Sequence, residues 1–194
     1  MVKFPTLQFH SSNDLKSFVE FWSKFYNKIP DKERYDPFIV KSQFEINDIE
    51  ELYKWKNGMT LSSRKEESLT KNITFKLDII NSFKLDPNLN AEQFKKEFNH
   101  VSLVWQVFLL HIIKPAQFPI YDQHVHRAYN FIHRIEYKSI DFVNLTNKAK
   151  EEFYFETYVS FVTKRDDIDL KAFDEAMWTF GKFLNTKWNL LLLS

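Results

Sequence analysis

The stretch that decides the fold reads VSLVWQVFLLHII and extends from Val101 to Ile113. Ten of its 13 residues are apolar, and they cover every side of a helix instead of one stripe. A helix that is hydrophobic all round is buried at the centre of a domain. We therefore expect an all-α fold in which about seven or eight helices pack around this central helix.

The flanking sequence favours helices on both sides of this stretch. Apolar residues recur every three or four positions from Leu15 to Ile29, from Leu69 to Ile80 and from Leu170 to Leu184. No run alternates in the manner of a strand. The segment from Asp31 to Phe44 is charged and broken by proline, so we expect a connecting loop there.

Length and composition favour one helical domain over residues 1–194, or two small, closely packed helical lobes. The absence of cysteine excludes disulfides, thiolate metal sites and iron–sulfur clusters, and it makes a cytoplasmic location the default. With only 2 glycines the chain lacks the phosphate-binding loops of nucleotide enzymes. We expect no cofactor and no metal.

Charge and hydropathy limit the classes of partner that the chain is expected to bind. Lys plus Arg is 27 against Asp plus Glu 26, so a polyanion would have to bind a local patch, for which Lys54, Lys56, Arg64 and Lys65 are the candidates. No apolar run reaches the roughly 20 residues of a membrane span. The C-terminal sequence WNLLLLS from Trp188 to Ser194 is shorter, and we expect it to pack on the body or to form a homodimer.

After the central stretch the chain reads KPAQFPIYDQHVHRAY from Lys114 to Tyr129. A proline-bearing loop therefore precedes Asp122, and a new helix with apolar positions at helical spacing follows it. Aspartate is a favoured helix N-cap, so we expect Asp122 to cap this helix. The sequence leaves open whether that is its sole role.

This arrangement resembles the core of the helix-hairpin-helix DNA glycosylase superfamily, which includes endonuclease III, adenine glycosylases and oxoguanine glycosylases. In that family the second helix of the hairpin leads through a loop to a catalytic Asp within a D-x-H-V-x-R-like run. The resemblance implies a DNA-glycosylase-like fold, DNA as the partner and Asp122 as the catalytic carboxylate. The candidates for substrate binding are Trp105, Tyr121, His124 and Arg127.

The chain departs from this family at two positions. No glycine stands between His100 and Leu103, where the hairpin turn would approach a phosphate. Val104 stands where lyase-active members have their Lys nucleophile, which excludes a Schiff base at that position. We therefore expect monofunctional removal of a damaged base, or lesion recognition, without Lys-dependent lyase activity.

The alternative is a non-catalytic helical module that binds nucleic acid or a protein partner. Near-neutral charge and the missing hairpin glycine favour this alternative. His124 and His126 are two positions apart on a predicted helix and point to different faces, so they do not form a metal pair.

Overall fold

The computed structural model describes residues 14–135, 145–165 and 168–188. Within these ranges the chain forms helices and no strands, which confirms the all-α prediction. One segment, Phe153–Tyr158, is π-helical, and the 3-10 turns are Ser23–Phe25 and Thr74–Lys76. In chain order the α-helices are α1 (Leu15–Trp22), α2 (Ile29–Arg34), α3 (Asp36–Ile39), α4 (Ile46–Asn57), α5 (Ser63–Asn72), α6 (Leu77–Leu85), α7 (Ala91–Glu97), α8 (Leu103–Ile113), α9 (Gln123–Ile132), α10 (Asn147–Glu152), α11 (Val159–Thr163) and α12 (Leu170–Leu184).

The described ranges contain more helices than the seven or eight expected. Part of the excess comes from the segment predicted as a loop between Asp31 and Phe44, in which residues 31–34 and 36–39 are helical. It contains most of α2 and all of α3. Pro30 and Pro37 lie in the first turns of these two helices, where the missing N–H has no partner to lose. The same prolines that indicated a break therefore lie in the first turns of new helices. The loop prediction was wrong for residues 31–39 and is confirmed for residues 40–44.

The described chain divides into two compact units. The first contains residues 14–26, 122–135, 145, 165 and 168–188, and the second contains residues 27–121 and 146–164. The chain leaves the second unit at Tyr121 and re-enters the first at Asp122. None of the helices in the described ranges is long and apolar enough to cross a membrane.

In the first unit α1 and α9 both pack on α12. The ring of Phe180 on α12 lies at the centre of this packing and is 4% exposed. Its centroid is 5.4 Å from Phe18 and 4.8 Å from Trp22 of α1, and 5.3 Å from Phe131 of α9. Aromatic pairs at such distances stabilise the fold by more than the burial of their apolar surface alone. One phenylalanine therefore links the three helices of this unit.

Gly181, the next residue of α12, sets how closely α9 approaches. A Cβ atom built on Gly181 would overlap the carbonyl oxygen of His124 and lie 2.5 Å from its carbonyl carbon. These are backbone atoms of a helix start, so they cannot move aside as a flexible side chain can. Glycine is therefore required by the close contact between the two helices.

In the second unit α8 is buried, as its all-round apolar sequence predicts. Val107, Leu109, Leu110 and Ile112 have no exposed surface, and each side of the helix faces protein. The two polar side chains buried with them, Gln106 and His111, are hydrogen-bonded. The prediction of a central helix at Val101–Ile113 is confirmed for this unit, with the helix beginning at Leu103.

The predicted dimer surface at the C-terminus falls largely outside the described residues, which end at Trp188. The side chain of Trp188 is 67% exposed. Residues 189–194 are not described, so the homodimer stays a prediction.

Replacing Gly181 with alanine is expected to lower the free energy of unfolding by about 3 kcal/mol, because the added methyl group forces α9 and α12 apart. The matched variant Gly58→Ala adds a methyl group into open space at the end of α4. It is expected to cost about 1 kcal/mol, since Gly58 has a left-handed φ of 70°. Urea denaturation followed by circular dichroism measures both, and equal losses would contradict the steric role of Gly181.

Candidate functional site

Asp122 caps α9, as the sequence predicts. Its Oδ1 atom accepts hydrogen bonds from the backbone N–H groups of His124, at 2.8 Å, and Val125, at 3.1 Å. The backbone is extended at Asp122, with φ −159° and ψ −174°, which is the usual conformation of an N-cap. The side chain is half-buried. Asp122 is therefore held in one orientation at the positive end of a helix.

Arg127 lies one turn further along α9 and bonds to both neighbouring elements. Its Nη1 atom donates to the backbone oxygen of Gly181 at 3.1 Å and lies 3.3 Å from Nδ1 of His124. A guanidinium can only donate, so Nδ1 of His124 is the acceptor and the ring proton lies on Nε2. Burial lowers the pKa of Arg127, and the charge of Asp122 acts in the opposite direction. The guanidinium nevertheless stays protonated near neutral pH.

The first unit thus brings three predicted site residues together, namely Asp122, His124 and Arg127. His124 also contacts the Trp178 ring edge to face, with centroids 5.7 Å apart. Asp122 caps the start of α9, whereas His124 and Arg127 contact residues of α12. The geometry therefore places an oriented carboxylate beside a cation and an imidazole. The packing of α9 against α12 would by itself require the same contacts.

The loop that leads to Asp122 is anchored in the second unit by three side chains from three different elements. Nδ1 of His111, on α8, lies 2.7 Å from the backbone oxygen of Phe118. The Tyr154 hydroxyl donates to the backbone oxygen of Pro119 at 2.9 Å. The third anchor is the ammonium of Lys56, on α4, which donates to the oxygen of Tyr121 at 3.4 Å. Carbonyl groups that cannot join a helix are thereby satisfied.

His111 continues this network to Tyr35, which precedes α3. Its Nε2 atom lies 2.6 Å from the Tyr35 hydroxyl, and both residues are buried. Because the oxygen of Phe118 can only accept, Nδ1 of His111 carries a proton, and in the neutral ring Nε2 accepts from the tyrosine. Sequence reasoning did not single out this pair. The one available signal was a histidine within an otherwise apolar helix. Such a histidine indicates that it has a buried polar partner, but it does not identify the partner residue.

The Tyr35 side chain packs against Trp55, which in turn bonds to a buried carboxylate. The Trp55 ring packs against Tyr35 with centroids 4.4 Å apart and an interplanar angle of 35°, and Nε1 of Trp55 donates to Asp31 at 2.7 Å. Asp31 is only 2% exposed. The Phe108 ring lies 5.9 Å from Trp55. Trp55, near the end of α4, therefore belongs to a hydrogen-bonded cluster with the buried Asp31.

The two aromatic candidates for substrate binding, Trp105 and Tyr121, belong to the second unit. Tyr121 is 1% exposed, and its ring lies 5.4 Å from that of Tyr154 and 5.7 Å from that of Phe153. Trp105 is half-buried, and its ring packs against Tyr53 at 4.9 Å. Each therefore lies in its own aromatic cluster, and a role towards a substrate stays a prediction for both.

The predicted basic patch is partly neutralised. Lys54 pairs with Glu51 at 2.8 Å, and Lys65 donates to the side chain of Asn57. Lys56 is half-buried and lies 5.8 Å from the centroid of Phe108. Arg64 is exposed. The patch therefore offers fewer mobile cations to a phosphate backbone than its sequence indicates.

Among the described residues, no group of three or more His, Asp or Glu side chains is arranged to hold a metal ion. Comparison with known proteins gives no relative: no family model matches the chain, and neither the curated proteins nor the solved structures contain a match. The function must therefore be argued from the residues themselves.

The anchoring of the loop predicts a measurable effect of Tyr35→Phe. Removing this hydroxyl deletes a buried hydrogen bond to His111 and is expected to lower the free energy of unfolding by about 1–2 kcal/mol. Hydrogen exchange at the amides of Gln117 and Phe118, which bond to the oxygen of Lys114 at 3.0 Å, should become faster. Tyr154→Phe tests a second anchor of the same loop and should act similarly.

The control for these variants is Thr163→Val, which removes an exposed hydroxyl bonded to its own helix at Val159. It should change the free energy of unfolding by less than about 0.5 kcal/mol. Exchange rates at Gln117 and Phe118 that do not respond to Tyr35→Phe or to Tyr154→Phe would show that the loop is held by other contacts.

Proposed function

We propose that this chain is a DNA-glycosylase-like protein that removes a damaged base by hydrolysis, with Asp122 as its carboxylate. The observation that carries the proposal is the cap geometry of Asp122 within the run formed with His124, Val125 and Arg127. Both backbone bonds to Oδ1 favour the ionised form of the side chain. DNA is the proposed partner.

The reaction needs a negative charge that is already oriented. Cleavage of an N-glycosidic bond builds positive charge on the sugar, and a carboxylate beside it stabilises that charge or orients the attacking water. Asp122 is fixed by two amides of a helix start, so it would not have to reorganise during the reaction. Preorganisation of this kind is usually the largest electrostatic contribution to catalysis.

The proposed reaction stops at base removal. Val104 lies on α8 at the position where lyase-active members of the resembling family have a lysine, and an aliphatic side chain cannot form a Schiff base with the sugar. The product would be an intact strand with an abasic site. Such a strand breaks only on treatment with alkali, which separates the proposal from a bifunctional mechanism.

A second candidate is a non-catalytic helical binding module for nucleic acid or a protein partner. The observation that favours it is the bond from Arg127 to Gly181, together with the close approach of His124 to that glycine. These contacts give the residues after Asp122 a purely structural reason to be present. Under this proposal the charge of Asp122 is dispensable and only its cap is needed.

The decisive variant is Asp122→Asn, because asparagine caps a helix as well as aspartate but has no charge. It should leave the free energy of unfolding within about 0.5 kcal/mol of wild type, and it should slow base release about 100-fold or more. The assay uses end-labelled duplexes that each carry one uracil, hypoxanthine or 8-oxoguanine. Strand cleavage is measured with and without alkali.

The matched controls are Asp169→Asn and Asp122→Ala. Asp169 caps α12 through a bond from the Ala172 amide at 3.0 Å, so its conversion to Asn should change neither stability nor base release. Asp122→Ala should lose base release and also about 1 kcal/mol of stability. Unchanged base release in Asp122→Asn would overturn the mechanism. If wild type releases no base, tighter binding to a duplex with an abasic-site analogue than to an undamaged one would favour the binding module.

A further inference from the structure

Two exposed aromatic rings lie side by side on the first unit. The side chain of Phe21, in α1, is 41% exposed, and that of Phe25, in the 3-10 turn that follows, is 63% exposed. Their ring centroids are 5.3 Å apart, so they form one continuous apolar surface, which we call the aromatic face. Single exposed hydrophobic residues are normal, whereas a continuous apolar surface is stabilised when another apolar segment covers it.

The aromatic face adjoins the last turn of α12. Trp22 packs against Phe21 with ring centroids 5.3 Å apart and against Phe183 of α12 with centroids 5.1 Å apart. The Trp22 side chain is buried, so it connects the exposed rings to the end of α12. The aromatic face therefore lies only two ring contacts away from the residue next to the end of this helix.

The chain stays at this end of α12 after the helix stops. The N–H of Thr186 donates to the backbone oxygen of Phe183 at 2.9 Å, and the Thr186 hydroxyl donates to the same oxygen at 2.7 Å. The N–H of Trp188 then donates to the Thr186 hydroxyl at 3.2 Å. These bonds hold Trp188, the last described residue, close to Phe183. The chain beyond Trp188 therefore begins near the residue that adjoins the aromatic face.

The length and composition of the following segment suit this surface. Residues 189–194 read NLLLLS, with four consecutive leucines and no charged side chain. Six residues in an extended conformation span about 20 Å, which is more than the two ring contacts of 5.1 and 5.3 Å between Phe183 and Phe21 together. The leucines are therefore within reach of the aromatic face, and contact with it would remove apolar surface of both from water.

The area of the aromatic face favours a short segment over a second copy of the chain. A phenylalanine side chain carries about 200 Å² of surface, so the exposed fractions of Phe21 and Phe25 leave about 200 Å² in total to be covered. A standard interface between two proteins covers about 800 Å² on each partner. Two phenyl rings are therefore too small to support a dimer by themselves, but they are large enough for a few leucines.

The segment before α1 fits the aromatic face less well. Four polar residues, from His10 to Asn13, separate its apolar side chains from Asp14, which caps the start of α1. Phe21 lies seven positions after Asp14, which is about 10 Å along the helix axis. Residues 1–13 would therefore have to reverse direction and extend along α1, whereas the chain beyond α12 starts beside the face.

We propose that residues 190–193 of the same chain dock on the aromatic face and tie the end of α12 to α1. The leucine side chains cover the rings of Phe21 and Phe25, and the segment forms a strap across the two helices. This proposal is independent of the function proposed for Asp122, because it uses other residues and its test contains no DNA.

The absence of cysteine from the chain makes a disulfide test specific. Lys24→Cys, at an exposed position between the two rings in sequence, and Ser194→Cys leave every leucine and both rings intact. Mild oxidation of this double variant should form an intrachain disulfide, which mass spectrometry of the monomer measures over time. Replacing Phe21 and Phe25 with serine in the same background should slow the reaction about tenfold, because docking raises the local concentration of one thiol at the other.

Phe75→Ser is the matched control, because it removes an 87% exposed phenyl ring from the second unit and should leave the rate unchanged. Equal rates with and without Phe21 and Phe25 would overturn the proposal. A disulfide that forms mainly between chains, at a rate that rises with protein concentration, would also overturn it and would assign the aromatic face to a second copy.

A second measurement uses the wild-type chain, so it does not depend on a variant that folds. With leucine methyl groups labelled for NMR, nuclear Overhauser effects should connect residues 190–193 to the rings of Phe21 and Phe25. Effects from Leu7 in their place would assign the aromatic face to residues 1–13 and overturn the proposal. The absence of effects from both segments would overturn it as well.

Discussion

Burial of α8 sets the main constraint on the second unit, because two polar side chains, Gln106 and His111, enter the interior with it. A buried polar group without a hydrogen bond costs about 1–3 kcal/mol, so each needs a partner of defined position. Gln106 donates to the oxygen of Phe98 at 3.2 Å, at the end of α7. His111 bonds to Phe118 in the loop that follows. The apolar helix therefore fixes the chain on both sides of itself through its only two buried polar side chains.

Local signals in the sequence predict the helix ends well, since a cap acts on groups within about four positions of itself. Asp122 is recognisable for this reason, and it begins a helix as expected. Gly58 ends α4 through the same kind of local interaction. Proline is an ambiguous signal over the same short range of sequence. A proline disfavours the continuation of a preceding helix and also suits the first turn of a new one, so at Pro30 and Pro37 a loop and two short helices share one sequence pattern.

Interactions between distant parts of the chain have no such local signal. The bond between Tyr35 and His111 joins residues 76 positions apart. Lys84 donates to the backbone oxygen of Ile112, and Lys114 donates to the backbone oxygen of Lys84. Both bonds depend on where α6 and α8 end in space, although each lysine alone resembles an ordinary helix terminus. Composition excluded several classes of chemistry, but it could not indicate which polar groups the fold would bring together.

Packing explains the residues that follow Asp122, but it does not explain the negative charge of Asp122 itself. Val125 is buried, the His124 carbonyl meets Gly181, and Arg127 bonds to the same glycine, so stability alone accounts for these three. The cap at Asp122 would be equally good with asparagine, and Arg127 keeps its own charge without a neighbouring carboxylate. The negative charge of Asp122 is therefore the part of the motif that the helix cap itself does not require, and the proposed hydrolysis would depend on that charge.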